Sequence, residues 1–469
     1  MKNAFNGNGL RREIGLFSAT VLVIANMMGT GIFTTSGFIL AEVQDPRVLL
    51  FCWICGGVFA LCGALCYGEL GARFPRAGGE YVFLKESFGK PVGFLSGWIS
   101  LIVGFSAPIA AASIAFATYA FKALQIPAGD AVVLNLMGTP VVTISPLNLT
   151  AIIAIGAFTA IHYHSLRMGS RVQNLLTLFK VALVVGFIFS GFYFGHGSFR
   201  HLQTPAMLPS TIGAEKIAVS LIFVSFAYSG WNAAAYLGSE ITDPRRNIPY
   251  ALFIGTAVVA LLYLLLNLVY LYALAPEQMF GVLEVGATAA ASLFGEHFSR
   301  LFSGAVALGI LSVLSAMIMT GPRIYYAMSK DGIFFPLFGH LNPDRKTPAS
   351  SIFLQAFIAA AMVLSASFDA LLIYIGFTLA FFSMLTVVGL MRIRIGARKN
   401  QNGYSTWGYP VTPLLFIIGN LWIIIYSIKS RPAAALIGLG TILMGILAYF
   451  YFERRCHPKH NRAVAEELL

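Results

Sequence analysis

Apolar residues run through this chain in blocks of about 20, separated by shorter polar stretches. A helix that crosses a membrane needs ~20 mostly apolar residues to cover ~30 Å of hydrocarbon. Blocks of this kind lie at about 15–40, 47–71, 93–122, 147–165, 172–195, 215–239, 250–274, 301–328, 349–367, 369–391, 411–428 and 432–452. The pattern predicts about twelve transmembrane helices and an all-α integral membrane protein. No stretch alternates with period two over ~10 residues, as the strands of a membrane β-barrel would. Helices are then the remaining way to satisfy backbone polar groups in lipid. The first block is too long for a cleavable signal peptide and lacks a small-residue cleavage site, so it is read as helix 1 itself.

Composition agrees. Of 469 residues, 58% are hydrophobic and only 11% charged, with a mean hydropathy of +0.78. A soluble domain carries about 25% charged residues. An ordinary cytosolic enzyme, a disordered chain and a coiled coil are excluded on that ground. The net charge of +12 would fit a nucleic-acid partner, but its distribution argues for topology instead. Of the 31 Lys and Arg, 23 lie in the two termini and in every second connection, and only seven on the other side. The positive-inside rule places both termini in the cytoplasm, and an even helix count agrees. No nucleic-acid role is expected. The remaining basic residue, Lys180, falls inside a span. Cys52, Cys55, Cys62 and Cys66 lie in helix 2 and Cys456 in the C-terminal tail. With no His or carboxylate clustered beside them they read as small packing residues, and neither a metal site nor a cofactor is expected.

Two segments break the helical pattern. Asn26-Met27-Met28-Gly29-Thr30-Gly31-Ile32-Phe33 interrupts helix 1, and Phe226-Ala227-Tyr228-Ser229-Gly230-Trp231-Asn232 interrupts helix 6. Each Gly costs a helix roughly 1 kcal/mol relative to Ala. A single such break is equally well read as packing glycines. Two breaks, five spans apart, form the pattern of inverted repeats with discontinuous helices at the midplane. The chain then divides into an N-terminus (1–12), a first repeat (13–196, helices 1–5), a second repeat (213–395, helices 6–10), helices 11 and 12 (411–452) and a C-terminus (453–469). Unwinding at Gly29–Gly31 frees amides at the positive end of a half-helix, where a carboxylate can bind. It also leaves carbonyls around Ile24, Ala25 and Met28 without partners, as the second break does those of Phe226, Ala227 and Ser229, and these can hold an ammonium. Such a site reads the backbone of an α-amino acid and needs no charged side chain.

The motifs carry a family resemblance. Gly29-Thr30-Gly31-Ile32-Phe33 matches G-[ST]-G-[IV]-F of the amino acid–polyamine–organocation superfamily. Gly68-Glu69-Leu70-Gly71-Ala72-Arg73-Phe74-Pro75-Arg76-Ala77-Gly78-Gly79-Glu80-Tyr81 matches the first cytoplasmic loop of that superfamily. Phe226–Asn232, Glu240 and Pro244-Arg245-Arg246-Asn247-Ile248-Pro249 match its helix 6 and the loop that follows. Over nearly its whole length the chain resembles these transporters, and within them the bacterial L-type-like permeases. The resemblance implies a LeuT-like five-plus-five fold, with helices 11 and 12 outside the repeats, and secondary active transport by alternating access. It implies that Gly29, Thr30 and Gly31 hold the substrate carboxylate and that Ile24, Phe226, Ala227 and Ser229 offer carbonyls to the amino group. Phe226 takes the position of an aromatic lid, and Asn26, Met28, Gly230 and Trp231 are read as gate or pocket. Asn26 follows the arginine/agmatine-exchanger pattern whereas helix 6 follows the L-type one, which leaves specificity open. The missing external Cys argues against a disulfide-linked partner subunit of the eukaryotic L-type kind.

An ammonium inside a span costs at least ~2.5–3.5 kcal/mol. Lys180 lies about 12 Å along helix 5, too deep to reach an interface easily. In sodium-independent relatives a Lys at the matching position stands in for a sodium ion between helices 1, 5 and 8. The resemblance therefore places Lys180 near the helix 1 break and near hydroxyls such as Ser312 or Ser315, as carrier of a coupled proton or as a fixed cation. His162 and His164 read as solvated interface residues, and Pro108 as a kink in helix 3. The acidic residues noted near the spans, Glu13, Glu69, Glu240, Glu453 and Asp369, all fall at helix ends. That favours neutral, small to medium L-amino acids, with a cationic amino acid or polyamine carrier as the alternative. A membrane enzyme would need His, Asp or Cys at one depth, and no such constellation or P-loop is found.

Overall fold

The structure is a computed structural model, and it describes residues 10–127, 129–136, 139–202, 213–282, 284–365, 368–396, 403–430 and 432–456. The first apolar block folds as two helices, α1 (Leu16–Met27) and α2 (Gly31–Val43). Helix α3 (Pro46–Arg73) opens on Asp45, whose carboxylate accepts from the Arg47 amide, with Pro46 in the first turn. A short α4 (Glu80–Phe88) follows. Helices α5 (Lys90–Ile99) and α6 (Ala107–Leu124) join through a π-helical stretch at Ser100–Ser106. An antiparallel hairpin, β1 (Val132–Leu136) with β2 (Thr139–Ile144), leads to α7 (Pro146–His164) and α8 (Leu166–Phe194).

The second half repeats the theme. Helices α9 (Ala214–Tyr228) and α10 (Ala233–Tyr236) flank the second break, before α11 (Pro244–Ala273). Short α12 (Pro276–Met279) and α13 (Val285–Phe294) lead to α14 (Glu296–Thr320) and α15 (Pro322–Lys330), then α16 (Ala349–Ser365) and α17 (Phe368–Gly396). Helices α18 (Val411–Ser430) and α19 (Pro432–Cys456) complete the described fold.

In its described residues every predicted apolar block is mainly helical, and among the described residues nine helical stretches are long and apolar enough to cross a membrane. The pattern did not show the π-helical stretch, α4, α12, α13 or the hairpin. These short elements carry no apolar block of spanning length, so hydropathy alone passes over them. Helix α11 packs along α3 and α1, and α14 along α6 and α8, which places both breaks in the centre of the bundle. Large apolar side chains also cover the outside of the helices, among them Leu175, Phe357 and Leu447, each more than 70% exposed. A water-soluble protein could not carry that surface; hydrocarbon is its solvent.

Candidate functional site

Helix α1 stops at Met27 and α2 resumes at Gly31, so the first break is the three residues Met28–Thr30. The second begins after Tyr228 and passes through Gly230, whose φ of +94° favours glycine. The two breaks touch. A Cβ on Gly31 would lie 2.6 Å from the Cα of Ala227, and one on Gly230 would lie 2.8 Å from the backbone of Asn26. Gly31 and Gly230 are therefore glycine because two main chains pass at contact distance. Gly29 is different: a Cβ there would meet only the Met27 carbonyl, at 3.8 Å.

The freed backbone groups divide into two sets. Among the described residues, the amides of Thr30, Gly31 and Ile32, at the opening turn of α2, make no hydrogen bond to a backbone carbonyl. The carbonyls are largely taken. That of Ile24 accepts from the Met28 amide and that of Phe226 from the Ser229 amide. Tyr263 on α11 spans both breaks: its hydroxyl donates to the Met27 carbonyl at 2.6 Å and lies 3.2 Å from that of Ala227. One phenol proton so ties helix 1 to helix 6. Tyr263→Phe is expected to speed amide hydrogen exchange at the two breaks about three- to tenfold, the size of one hydrogen bond, with the helical circular dichroism unchanged.

Lys180 projects from α8 and is fully buried. Its ammonium donates to the carbonyls of Ala25, at 3.3 Å, and Met28. Its stem lies against Gly309 of α14, where a Cβ would come within 3.2 Å of it. The two hydroxyls named with it are engaged elsewhere. Ser312 donates to the Gly309 carbonyl, and Ser315 pairs with His162 Nε2 at 2.9 Å. His162 is thus a buried residue bridging α7 to α14, contrary to the solvated role expected of it, whereas His164 is exposed.

A cavity of about 110 Å³ opens beside the breaks. Asn26, Phe226, Ser229, Gly230 and Trp231 line one side, and Ser100, Gly104, Phe105 and Pro108 line another. Gly29, Thr30 and Gly31 do not line it; the cavity meets helix 1 at Asn26. Pro108 has no amide to give the Gly104 carbonyl one turn earlier, which the π-helical stretch accommodates at the cavity wall. Trp231 packs edge-on against Tyr67, at 4.7 Å between ring centroids, and against Phe416 at 5.7 Å.

The cavity also holds Glu80, from the Gly68–Tyr81 motif, for which sequence alone indicates no role. It follows Gly79, whose φ is +50° and where a Cβ would strike the ring of Tyr236 at 2.4 Å. The Gly78-Gly79-Glu80 spelling was the available signal: two glycines allow a turn tight enough to push the next side chain inward.

The helix-end carboxylates find their partners. Glu240 and Arg323 form a fully buried bidentate pair, Nε to Oε2 at 2.9 Å and Nη2 to Oε1 at 2.8 Å. The Glu240 carbonyl accepts the amides of Glu13 and Ile14, both at 3.0 Å. Glu69 is held by Arg394, by Arg73 at 3.0 Å and by the amide and hydroxyl of Thr406, each at 2.8 Å.

Two helices broken at matched places around a small central cavity, inside a bundle of spanning helices, are the architecture of a carrier. The chain belongs to the amino acid permease family, which it matches over residues 14–451. It is a multi-pass membrane protein that transports amino acids, and not an enzyme. It is 30% identical to the serine/threonine exchanger SteT of Bacillus subtilis, over 96% of this chain and 98% of that one. It is 28% identical to human large neutral amino acids transporter small subunit 2, over 95% of this chain and 81% of that one. It is also 28% identical to mouse b(0,+)-type amino acid transporter 1, over 94% and 88% of the two chains.

Proposed function

We propose that this chain is a sodium-independent secondary transporter of neutral, small to medium L-amino acids in a prokaryotic cell membrane, with both termini cytoplasmic. It works by alternating access of two inverted repeats, as an exchanger or a proton symporter, and needs no disulfide-linked subunit. The observation that carries the reading is the contact of the two breaks beside the cavity, with unpaired amides at Thr30 and Gly31. A substrate carboxylate satisfies those amides at the positive end of α2. Carbonyls at the second break, and Ala25, take the amino group with their remaining lone pairs. Lys180 holds a single positive charge between helices 1, 5 and 8, where a bound sodium ion would otherwise be needed. The similarity to a serine/threonine exchanger and to a large neutral amino acid transporter points the same way.

The test is counterflow in proteoliposomes preloaded with labelled alanine, with and without sodium and a pH gradient. Gly29→Leu adds a side chain where a Cβ has room, next in the chain to the free α2 amides. Exchange of every substrate is expected to vanish. Full activity in this variant would overturn the carboxylate assignment. Uptake that runs equally with and without a pH gradient would remove proton symport and leave exchange. A second reading, a carrier of cationic amino acids, is favoured by one observation: the cavity contains a carboxylate.

A further inference from the structure

Glu80 is the only charged residue lining the cavity among the described residues. It is 4% exposed. Tyr67 of α3 donates to its Oε1 at 2.5 Å and Asn232, at the second break, donates to the same oxygen at 3.1 Å. Oε2 receives no hydrogen bond among the described residues. An ionised carboxylate has about four acceptor sites, so half of this one is unused. Among the described residues no cation balances it. On its own helix Lys85 is paired with Asp331, and on α15 Arg323 is paired with Glu240. On α3 and α17, Arg73 and Arg394 are both held by Glu69, and Arg392 of α17 stacks on Phe88 at the far end of α4. The other titratable groups around it are phenols: Tyr67, Tyr236 of α10 and Tyr325 of α15. A buried carboxylate without a counter-charge is costly. Burial pushes its pKa up to about 7, against the opposing pull of the Tyr67 and Asn232 hydrogen bonds.

We propose that Glu80 is the side-chain recognition group of this cavity, and that it admits amino acids whose side chains end in a hydrogen-bond donor, a hydroxyl or an ammonium. The proposal rests on the cavity being the substrate site. It extends the substrate class from neutral side chains to those that end in an ammonium. Ionised, Glu80 takes an ammonium on Oε2 and gains the counter-charge that the protein withholds. Protonated, it still accepts from a hydroxyl but no longer favours a cation. Its ionised fraction rises as pH increases through about 7, so the preference for an ammonium over a methyl of equal size rises with it.

The test uses pairs of equal length, norvaline with 2,4-diaminobutyrate and norleucine with ornithine, competing against labelled alanine in counterflow. In wild type, ornithine or diaminobutyrate is expected to compete at least about threefold better near pH 7.5 than near pH 6, a range in which an alkylammonium such as that of ornithine stays protonated. The apolar partners should not change. Glu80→Gln is expected to weaken the diamino acids at least about tenfold, as removal of one charge-assisted hydrogen bond would, to leave norvaline and norleucine within about threefold, and to flatten the pH profile. Glu80→Asp, which keeps the charge, should retain the preference. Equal loss of all four substrates in Glu80→Gln would show a structural latch and overturn the proposal. So would diamino acids that never compete in wild type, or that compete unchanged in the variant. Failure of wild type to exchange any amino acid would instead remove the transport reading beneath it.

Discussion

Lys180→Met is expected to reduce amino acid transport to background while the protein remains folded in the membrane. The ammonium of Lys180 is the donor that the structure supplies to the Ala25 and Met28 carbonyls at the end of α1. A hydrogen bond to a charged group contributes roughly 1.5–3 kcal/mol, and a buried acceptor left bare costs about 1–3 kcal/mol. Two acceptors lose their donor at once, so the geometry of the break should be populated about a hundredfold less or worse. Methionine keeps most of the volume beside Gly309, so the loss is of charge and hydrogen bonding rather than of packing. Counterflow measures the rate, and size-exclusion chromatography in detergent measures the fold. A monodisperse Lys180→Met that exchanges at more than half the wild-type rate would mean that the break holds itself without the ammonium.

The second large effect is at Glu240 and Arg323. Glu240→Gln leaves the Arg323 guanidinium buried opposite a neutral amide, and breaking a buried pair from one side costs about 3–5 kcal/mol. The variant is expected to unfold at clearly lower temperature. The double replacement Glu240→Leu with Arg323→Met removes both charges, and it is expected to recover most of that stability, because an apolar pair of similar volume is often no worse than a buried ion pair. The tie between the helix ends should not recover with it. Through its backbone Glu240 holds the amides of Glu13 and Ile14, and through its side chain it holds α15. It therefore joins the start of helix 1, the segment after helix 6 and the end of helix 8 at one point. A cysteine placed at Ser229 should react faster with impermeant thiol reagents in the double variant than in wild type. Equal reactivity would show that the ion pair contributes stability but does not tie these helix ends.

Most of the fold was legible in the chain because hydrocarbon imposes a simple rule on helix length. The two breaks were legible for the same reason, since Gly29-Thr30-Gly31 and Ser229-Gly230 are poor helix in a place where helix is required. The partners of Glu69 and Glu240 were not. Arg394 lies 325 residues from Glu69, and Arg323 lies 83 residues from Glu240. Nothing local to either carboxylate distinguishes the arginine it meets from the many others on that face. His162 was misjudged because its position near a helix end resembles that of His164, and only the packing of α7 on α14 separates the buried one from the exposed one. Glu80 escaped notice because α4 is too short and polar to register as part of a spanning bundle, although its first residue reaches the centre.

The contact of Gly31 with Ala227 also limits how this protein moves. With Cα atoms meeting where not even a methyl fits, neither half-helix can slide past the other without prising the bundle apart. They can still turn about that point, as two rods do when crossed and pinned. On the proposed alternating-access reading the stroke is a pivot whose fulcrum lies beside the cavity, so small rotations there swing the far ends of both helices widely.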